Sequence, residues 1–266
     1  MSFPKNIPSL YVQNEGEDVS TKVALSLTQA RDKVVVRLTG GCGLMSEEHA
    51  NGMYHLLSEP FRDFGGAMLF GGTRMICRTD PTKIVPGITE VAPLVRNMCP
   101  DARIFGVIAR ADDFQIDPCF GLIVANEPEK EFVTIAHPNQ DVCLVLQKSV
   151  DQATVWDAEY QMCARIVHHL QDYAGWESVL LVYNGGGITE KEILLWASKG
   201  LRVVLVRGSG RKADEYAKNQ DFLDAHPSVV VVESTTSSIR EQFERFGVVP
   251  VAPSSSSQIG MRKRKK

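Results

Sequence analysis

Val179-Leu180-Leu181-Val182-Tyr183-Asn184-Gly185-Gly186-Gly187-Ile188-Thr189-Glu190-Lys191-Glu192 is the stretch that decides the fold. Five apolar residues in unbroken succession suit a strand covered on both faces of a parallel sheet. An asparagine and three glycines end that strand, and residues 189–199 then read as a helix. The same pattern recurs on either side. Apolar runs at 34–38, 67–70, 104–108, 142–146, 203–206 and 229–232 alternate with helical stretches at 46–64, 157–173, 213–223 and 238–246. Within 157–173, Tyr160, Cys163, Ile166, Val167 and Leu170 form a stripe at three- and four-residue spacing. The alternation predicts an α/β, Rossmann-like doubly wound fold, with a mainly parallel sheet and helices on both faces.

Composition agrees with a folded chain. Of 266 residues, 44% are hydrophobic and 23% charged, and this length can bury a full core. Residues 1–30 read as an irregular N-terminal lead-in, 31–250 as a single domain, and 251–266 as a disordered basic tail. The stretch 111–140, with Pro118, Pro128 and Pro138, reads as an insertion or hairpin. The formal charge is −3, but five cations lie in 262–266, so the rest of the chain is near −8. An acidic body argues against nucleic acid as a partner, and any phosphate must be held by local geometry. Six cysteines without a CxxC pair read as buried thiols in a reducing compartment. No spacing suggests a metal site and no resident cofactor is expected. The apolar run of a signal peptide is missing, and no stretch of 18 apolar residues occurs. The expected location is cytoplasmic, without a membrane partner.

Four glycine turns follow strand runs: Gly40-Gly41-Cys42-Gly43, Gly71-Gly72-Thr73-Arg74, Asn184 to Thr189, and Gly208-Ser209-Gly210-Arg211. Glycine lets backbone approach a ligand, and a following helix offers free N–H groups and positive dipole to a phosphate. In an open parallel sheet all four turns reach one carboxyl edge. Each alone is explained equally well as a tight strand-to-helix turn. Neither the P-loop nor the dinucleotide fingerprint is reproduced, which disfavours a standard NTPase or NAD dehydrogenase.

The stretch from Asn184 resembles the Pro-Gly-Gly-x-Gly-Thr-x-x-Glu signature of the LOG proteins, in the SLOG superfamily. Gly185, Gly186, Thr189 and Glu192 agree, while Asn184 replaces the proline and Ile188 a glycine. The wider sequence resembles more closely the SLOG domain of melastatin-type TRP channels and its stand-alone prokaryotic relatives. The carriers are Leu38-Thr39-Gly40-Gly41, Ala67 to Thr73, Gly87-Ile88, His137-Pro138-Asn139, Trp156 with Glu159, and Gly208-Ser209-Gly210-Arg211-Lys212-Ala213-Asp214. The resemblance implies a Rossmann-like fold that binds nucleotides or nucleotide-derived signals, ADP-ribose-type molecules among them. Carried over to this chain, the ligand-binding residues are Gly40, Gly41, Gly71, Gly72, Thr73, Arg74, Asn184, Gly185, Gly186, Gly187, Thr189, Gly208, Ser209, Gly210 and Arg211. The expected partner is a nucleotide-derived small molecule, with self-association left open.

Glu192 is the LOG signature's acid, and the resemblance gives it the ribose and a part in breaking the N-glycosidic bond. The competing account is a first-turn glutamate facing solvent. LOG enzymes also bring an Arg-Lys pair on the preceding helix to the ribose, where this chain has Arg165 and Ile166. Ligand sensing is therefore the leading reading and a LOG-like phosphoribohydrolase the alternative. Arg74 and Arg211 could each clamp a phosphate or form an ordinary salt bridge, and Thr73 and Ser209 could donate hydroxyls or cap helices. Trp156 could stack on an adenine or anchor its helix. His168-His169 diverge on one helix, and Asp112, Asp113 and Asp117 lack the spacing of a calcium loop.

Overall fold

The computed structural model describes residues 9–13, 20–41, 47–109, 115–117, 121–125, 129–146 and 156–251. In chain order the elements are β1 (Ser9–Gln13), α1 (Ser20–Leu27), β2 (Val34–Gly40), α2 (Glu47–Ser58), β3 (Ala67–Phe70), β4 (Thr73–Cys77), α3 (Val91–Met98), β5 (Arg103–Ala109), β6 (Gln115–Asp117), β7 (Gly121–Ala125), β8 (Phe132–Ala136), β9 (Val142–Leu146), α4 (Trp156–Ala174), β10 (Glu177–Tyr183), α5 (Gly187–Ser198), β11 (Arg202–Arg207), α6 (Arg211–Ala217), α7 (Gln220–Ala225), β12 (Val229–Glu233) and α8 (Thr236–Arg245). Eight strands form one sheet in the order β1-β9-β5-β3-β2-β10-β11-β12, and every neighbouring pair is parallel. From β2 the chain builds outward through β3, β5 and β9, then returns to β10 and builds the other way. The switch point of the fold thus lies between β2 and β10, where ligands of open α/β sheets are held.

Both faces are covered because each strand alternates between two apolar sets. Val35, Leu69, Phe105, Leu144, Leu180 and Leu205 pack with α1, α4, α5 and α6. Val34, Val36, Leu38, Met68, Ile104, Leu181 and Val204 pack with α2, α3 and α8. Trp196 of α5 and Phe243 of α8 are each wholly buried, one on each side.

The lead-in is where the sequence reading needs correction. Far from being irregular throughout, residues 1–30 supply β1, which pairs with β9 from Ser9↔Val142 to Gln13↔Leu146, and α1, which buries Val23, Ala24 and Leu27. A five-residue edge strand with polar ends carries little local signal; its partner strand holds it in place. Residues 111–140 contribute hairpins to a separate antiparallel sheet ordered β4-β8-β7-β6. The first strand of that sheet, β4, begins directly after Gly71-Gly72, so this glycine turn leads into a strand and not a helix. Residues 252–266, where the basic tail was expected, lie outside the described residues.

Gly72, with φ +62, sits directly on Gly106 of β5. A Cβ on Gly106 would lie 1.8 Å from Gln140 Oε1 and 2.6 Å from the Gly72 Cα. Gly106→Ala is expected to cost about 1–3 kcal/mol of stability, the usual penalty of overpacking, read as a lower urea midpoint with unchanged slope.

Candidate functional site at the carboxyl edge

β3, β2, β10 and β11 are consecutive neighbours, so the turns that follow them share one edge of the sheet. The turns after β10 and β11 are tied together. Ser209 Oγ accepts the Asn184 N–H at 2.8 Å and donates to the Val206 carbonyl at 2.6 Å. The Ala213 N–H reaches the Asn184 carbonyl at 3.0 Å, and Asp214 Oδ1 accepts the Gly208 N–H at 2.7 Å. The Ser209 hydroxyl is thereby committed to the protein, which removes the expected free donor. Asn184 is itself left-handed, with φ +60, and its Oδ1 is buried without a hydrogen-bond partner among the described residues.

Arg211 is exposed and also left-handed, with φ +47, a conformation that disfavours any residue but glycine. Among the described residues its guanidinium has neither a hydrogen bond nor an ion pair. Its Nη2 lies 2.9 Å from where a Cβ on Gly186 would stand. Gly186 has φ −120°, extended backbone open to any residue. What it avoids is therefore a clash with Arg211 rather than backbone strain.

The other glycines divide by what surrounds them. A Cβ on Gly40 would fall 2.1 Å from the Tyr183 carbonyl oxygen, and one on Gly185 2.5 Å from Thr189 Cγ2. Gly40, Gly72, Gly185 and Thr189 are thus explained by packing between neighbouring segments. Gly41 lies beside the Asn184 amide, Gly71 beside the Glu159 carboxylate, and the space over Gly187 is open. Gly208 and Gly210 are left-handed, with φ +86 and +98. Cys42 and Gly43 lie outside the described residues, as does the Trp156 side chain.

Arg74 is engaged within the protein. Its Nε donates to Glu90 Oε1 at 2.8 Å, and its Nη2 to Glu90 Oε2. Glu90 also faces His137, whose Nε2 is 3.3 Å away and whose Nδ1 accepts the Asn139 N–H at 3.2 Å. A bidentate, half-buried ion pair replaces the expected phosphate clamp, and Thr73 opens β4 instead of capping a helix. Burial pushes His137 below its ordinary value of 6.5, with Glu90 opposing the shift, so the folded imidazole stays neutral where the unfolded one takes a proton. Burial raises Glu90, but the facing His137 imidazole and the Arg74 hydrogen bonds outweigh it and hold the carboxylate lower than usual. Both contributions are lost on acidification.

A buried ionic cluster escaped the sequence reading. Arg37, in the middle of β2, points to the helical face shared by α4 and α5. Its Nε donates to Glu192 Oε1 at 2.8 Å and its Nη2 to Glu159 Oε1 at 2.8 Å. Glu192 is 0% exposed, so the acid of the LOG signature is sealed against Arg37 instead of facing the crevice. The arginine that LOG enzymes draw from the preceding helix is here drawn from a strand, while Arg165 is exposed. Two signals were present: one charge inside Val34-Val35-Val36-Arg37-Leu38, and Glu159 one turn before Cys163 on the buried stripe of α4.

Concavities of about 150 and 600 Å³ lie at the opposite, amino edge, around Arg103 with Asp141 and around Arg31 with Val249. Their place in the fold is against them, since the topological switch and the unpaired Arg211 are both at the carboxyl edge. Among the described residues no group of His, Cys, Asp and Glu could hold a metal ion, and no helix is long and apolar enough to cross a membrane. His168 is exposed and pairs with Asp172, and His169 stacks on Tyr173.

The family model described as "SLOG in TRPM, prokaryote" matches residues 129–247, the segment that carries β8 to α8 and the two interlocked turns. Over this segment, less than half of the chain, the sequence is similar to the SLOG domain of the prokaryotic TRPM type. No curated protein matches the chain. Among solved structures, the structural-genomics target TM1055 is 18% identical, with 80% of this chain and 99% of that one covered and a TM-score of 0.50, which shows a shared fold. The molybdenum cofactor carrier protein of Chlamydomonas reinhardtii is 15% identical, over 80% of this chain and 98% of that one, with a TM-score of 0.47.

Arg37→Met leaves two buried carboxylates without their cation and is expected to cost about 3–5 kcal/mol, measured by urea unfolding. His137→Gln, which keeps an N–H toward Glu90, is expected to flatten the fall in melting temperature between about pH 7 and pH 5. The unfolded wild type takes up a proton there that the folded protein refuses.

Proposed function

We propose that this protein binds a phosphorylated, nucleotide-derived small molecule, of the ADP-ribose or NAD-related kind, at the carboxyl edge between β2 and β10. The observation that carries the reading is Arg211. An exposed guanidinium is held over Gly186 on left-handed backbone and has no protein acceptor among the described residues. Backbone strain of this kind is kept where function requires it, and a guanidinium suits the paired oxygens of a phosphate. Asn184, with its buried and unpaired Oδ1, supplies an acceptor at the same turn. The similarity of residues 129–247 to the SLOG family model supports a nucleotide-derived ligand.

A LOG-like phosphoribohydrolase is the second reading, favoured by carboxylates and an arginine lying together behind the same edge. The sealing of Glu192 counts against it. Binding, without turnover, is the activity the arrangement supports best.

Two substitutions test the reading by calorimetric titration with ADP-ribose, NAD and AMP. Gly186→Val drives a branched side chain into the Arg211 guanidinium without straining the backbone. Arg211→Gly removes the guanidinium and relieves the left-handed residue. Both are expected to weaken binding more than about tenfold, or 1.4 kcal/mol. Arg211→Gly is expected to leave stability unchanged or raise it by up to about 1 kcal/mol in urea unfolding. Wild-type affinity in both folded variants would overturn the reading.

A further inference from the structure

The two carboxylates on Arg37 are not equivalent. Glu192 gives both oxygens to the guanidinium, at 2.8 and 3.4 Å, and is wholly enclosed. Glu159 gives only Oε1, keeps 15% of its side chain exposed, and has Arg37 as its one hydrogen-bond partner among the described residues. A Cβ added to Gly71 would stand 3.3 Å from that Oε1 and 3.7 Å from Oε2. The absence of a side chain at Gly71 therefore leaves the Glu159 carboxylate uncovered at the end of β3.

The cluster is also unfinished. One guanidinium faces two carboxylates, which leaves an excess negative charge. Burial pushes the Glu159 carboxyl above its ordinary range, with Glu192 adding to the shift and Arg37 opposing it. On the other side of the same guanidinium, Arg37 Nη1 is buried with no acceptor among the described residues. A network built only to hold helices on a sheet would satisfy its own members, since a half-satisfied buried network is costly. Among the described residues this one lacks a second donor for Glu159 and an acceptor for Arg37 Nη1. A phosphate is repelled by the carboxylates, whereas a sugar hydroxyl donates to the Glu159 oxygens without bringing a charge into the half-buried site.

We propose that Glu159, uncovered beside Gly71, takes the hydroxyl groups of the ligand's sugar, and that it replaces Glu192 as the sugar-reading carboxylate of this chain. The proposal rests on the reading under Proposed function and assigns the other end of that ligand. The turns after β3 and β10 are two interstrand steps apart, about 10 Å. A phosphate at Arg211 and a sugar at Glu159 thus belong to one ligand that spans the switch point, and inorganic phosphate alone would not reach both. The ligand class is a ribosyl phosphate with free hydroxyls, not a deoxy sugar.

The test is a cycle of two proteins and matched ligands. Wild type and Glu159→Gln are titrated calorimetrically with whichever of AMP, ADP-ribose and NAD binds best, and with its 2′-deoxy and 3′-deoxy forms. Glu159→Gln keeps the size of the side chain, and its melting temperature is recorded alongside. The expected result is an approximately tenfold loss for the hydroxylated ligand in Glu159→Gln. At least one deoxy form should lose as much on wild type and lose nothing further in the variant. Equal affinity of wild type and Glu159→Gln for the hydroxylated ligand, with Arg211→Gly still impaired, would overturn the role of Glu159 and leave the binding reading standing. A uniform loss across all three ligands would likewise overturn it, since that marks a merely structural role. Failure of all three ribonucleotides to bind wild type would overturn the binding reading, and this proposal with it.

Discussion

A guanidinium in the middle of an otherwise apolar strand is the constraint around which this molecule is organised. Arg37 occupies a position where its neighbours Val34, Val35, Val36 and Leu38 are all buried. Its charge can be tolerated only if carboxylates are brought to it, because an unpaired buried ion costs several kcal/mol. Glu159 comes from α4 and Glu192 from α5, so one arginine, through two ion pairs, fixes two helices against the strand beside the switch point. Cys163, one turn beyond Glu159, is 0% exposed, and burial pushes its thiol far above the ordinary range. The cysteine is an inert part of the wall.

The edge above this cluster is rigid for a different reason. The turns after β10 and β11 share backbone and hydroxyl hydrogen bonds, so neither can move without the other. Lys212 binds Glu190 at 3.0 Å and Tyr216 donates to the same carboxylate at 3.1 Å, which fastens α6 to α5 just behind the turns. Such a frame can impose left-handed backbone on Asn184 and Arg211, since the surrounding contacts determine their conformation more strongly than their own preferences. This edge therefore has two ends of opposite character, with the Arg211 guanidinium, unpaired among the described residues, over the β10 turn and the Glu159 carboxylate beside the end of β3. That polarity distinguishes it from a plain anion hole.

Much of the geometry of the candidate site was legible because its parts are local. Glycine after a continuous apolar run marks a strand end whatever lies across from it, and the order of the runs places the ends on one edge. Roles were less legible than positions. Gly40 and Gly72 look like ligand glycines in sequence, yet each is required by a backbone that approaches from another strand. Arg74 looks like a phosphate clamp, yet Glu90 and His137, 16 and 63 positions further along the chain, close on it. Glu192 looks like an exposed first-turn acid until Arg37 is seen to lie beneath it.

By itself the sequence determined the alternation of apolar strands and amphipathic helices, and with it the doubly wound parallel sheet, because burial on both faces follows from composition within each run. It also marked the turns after β10 and β11, because glycine and asparagine accept cheaply the left-handed dihedral angles found at Asn184, Gly185, Gly208 and Gly210. The tertiary structure alone decided which charges meet. Pairing between Arg37, Glu159 and Glu192 spans 122 and 155 positions of chain, and no local pattern encodes contact at that distance. It likewise recruited β1 to the edge of the sheet and turned Thr73 into the start of a strand, since both segments take their form from the strands they pair with.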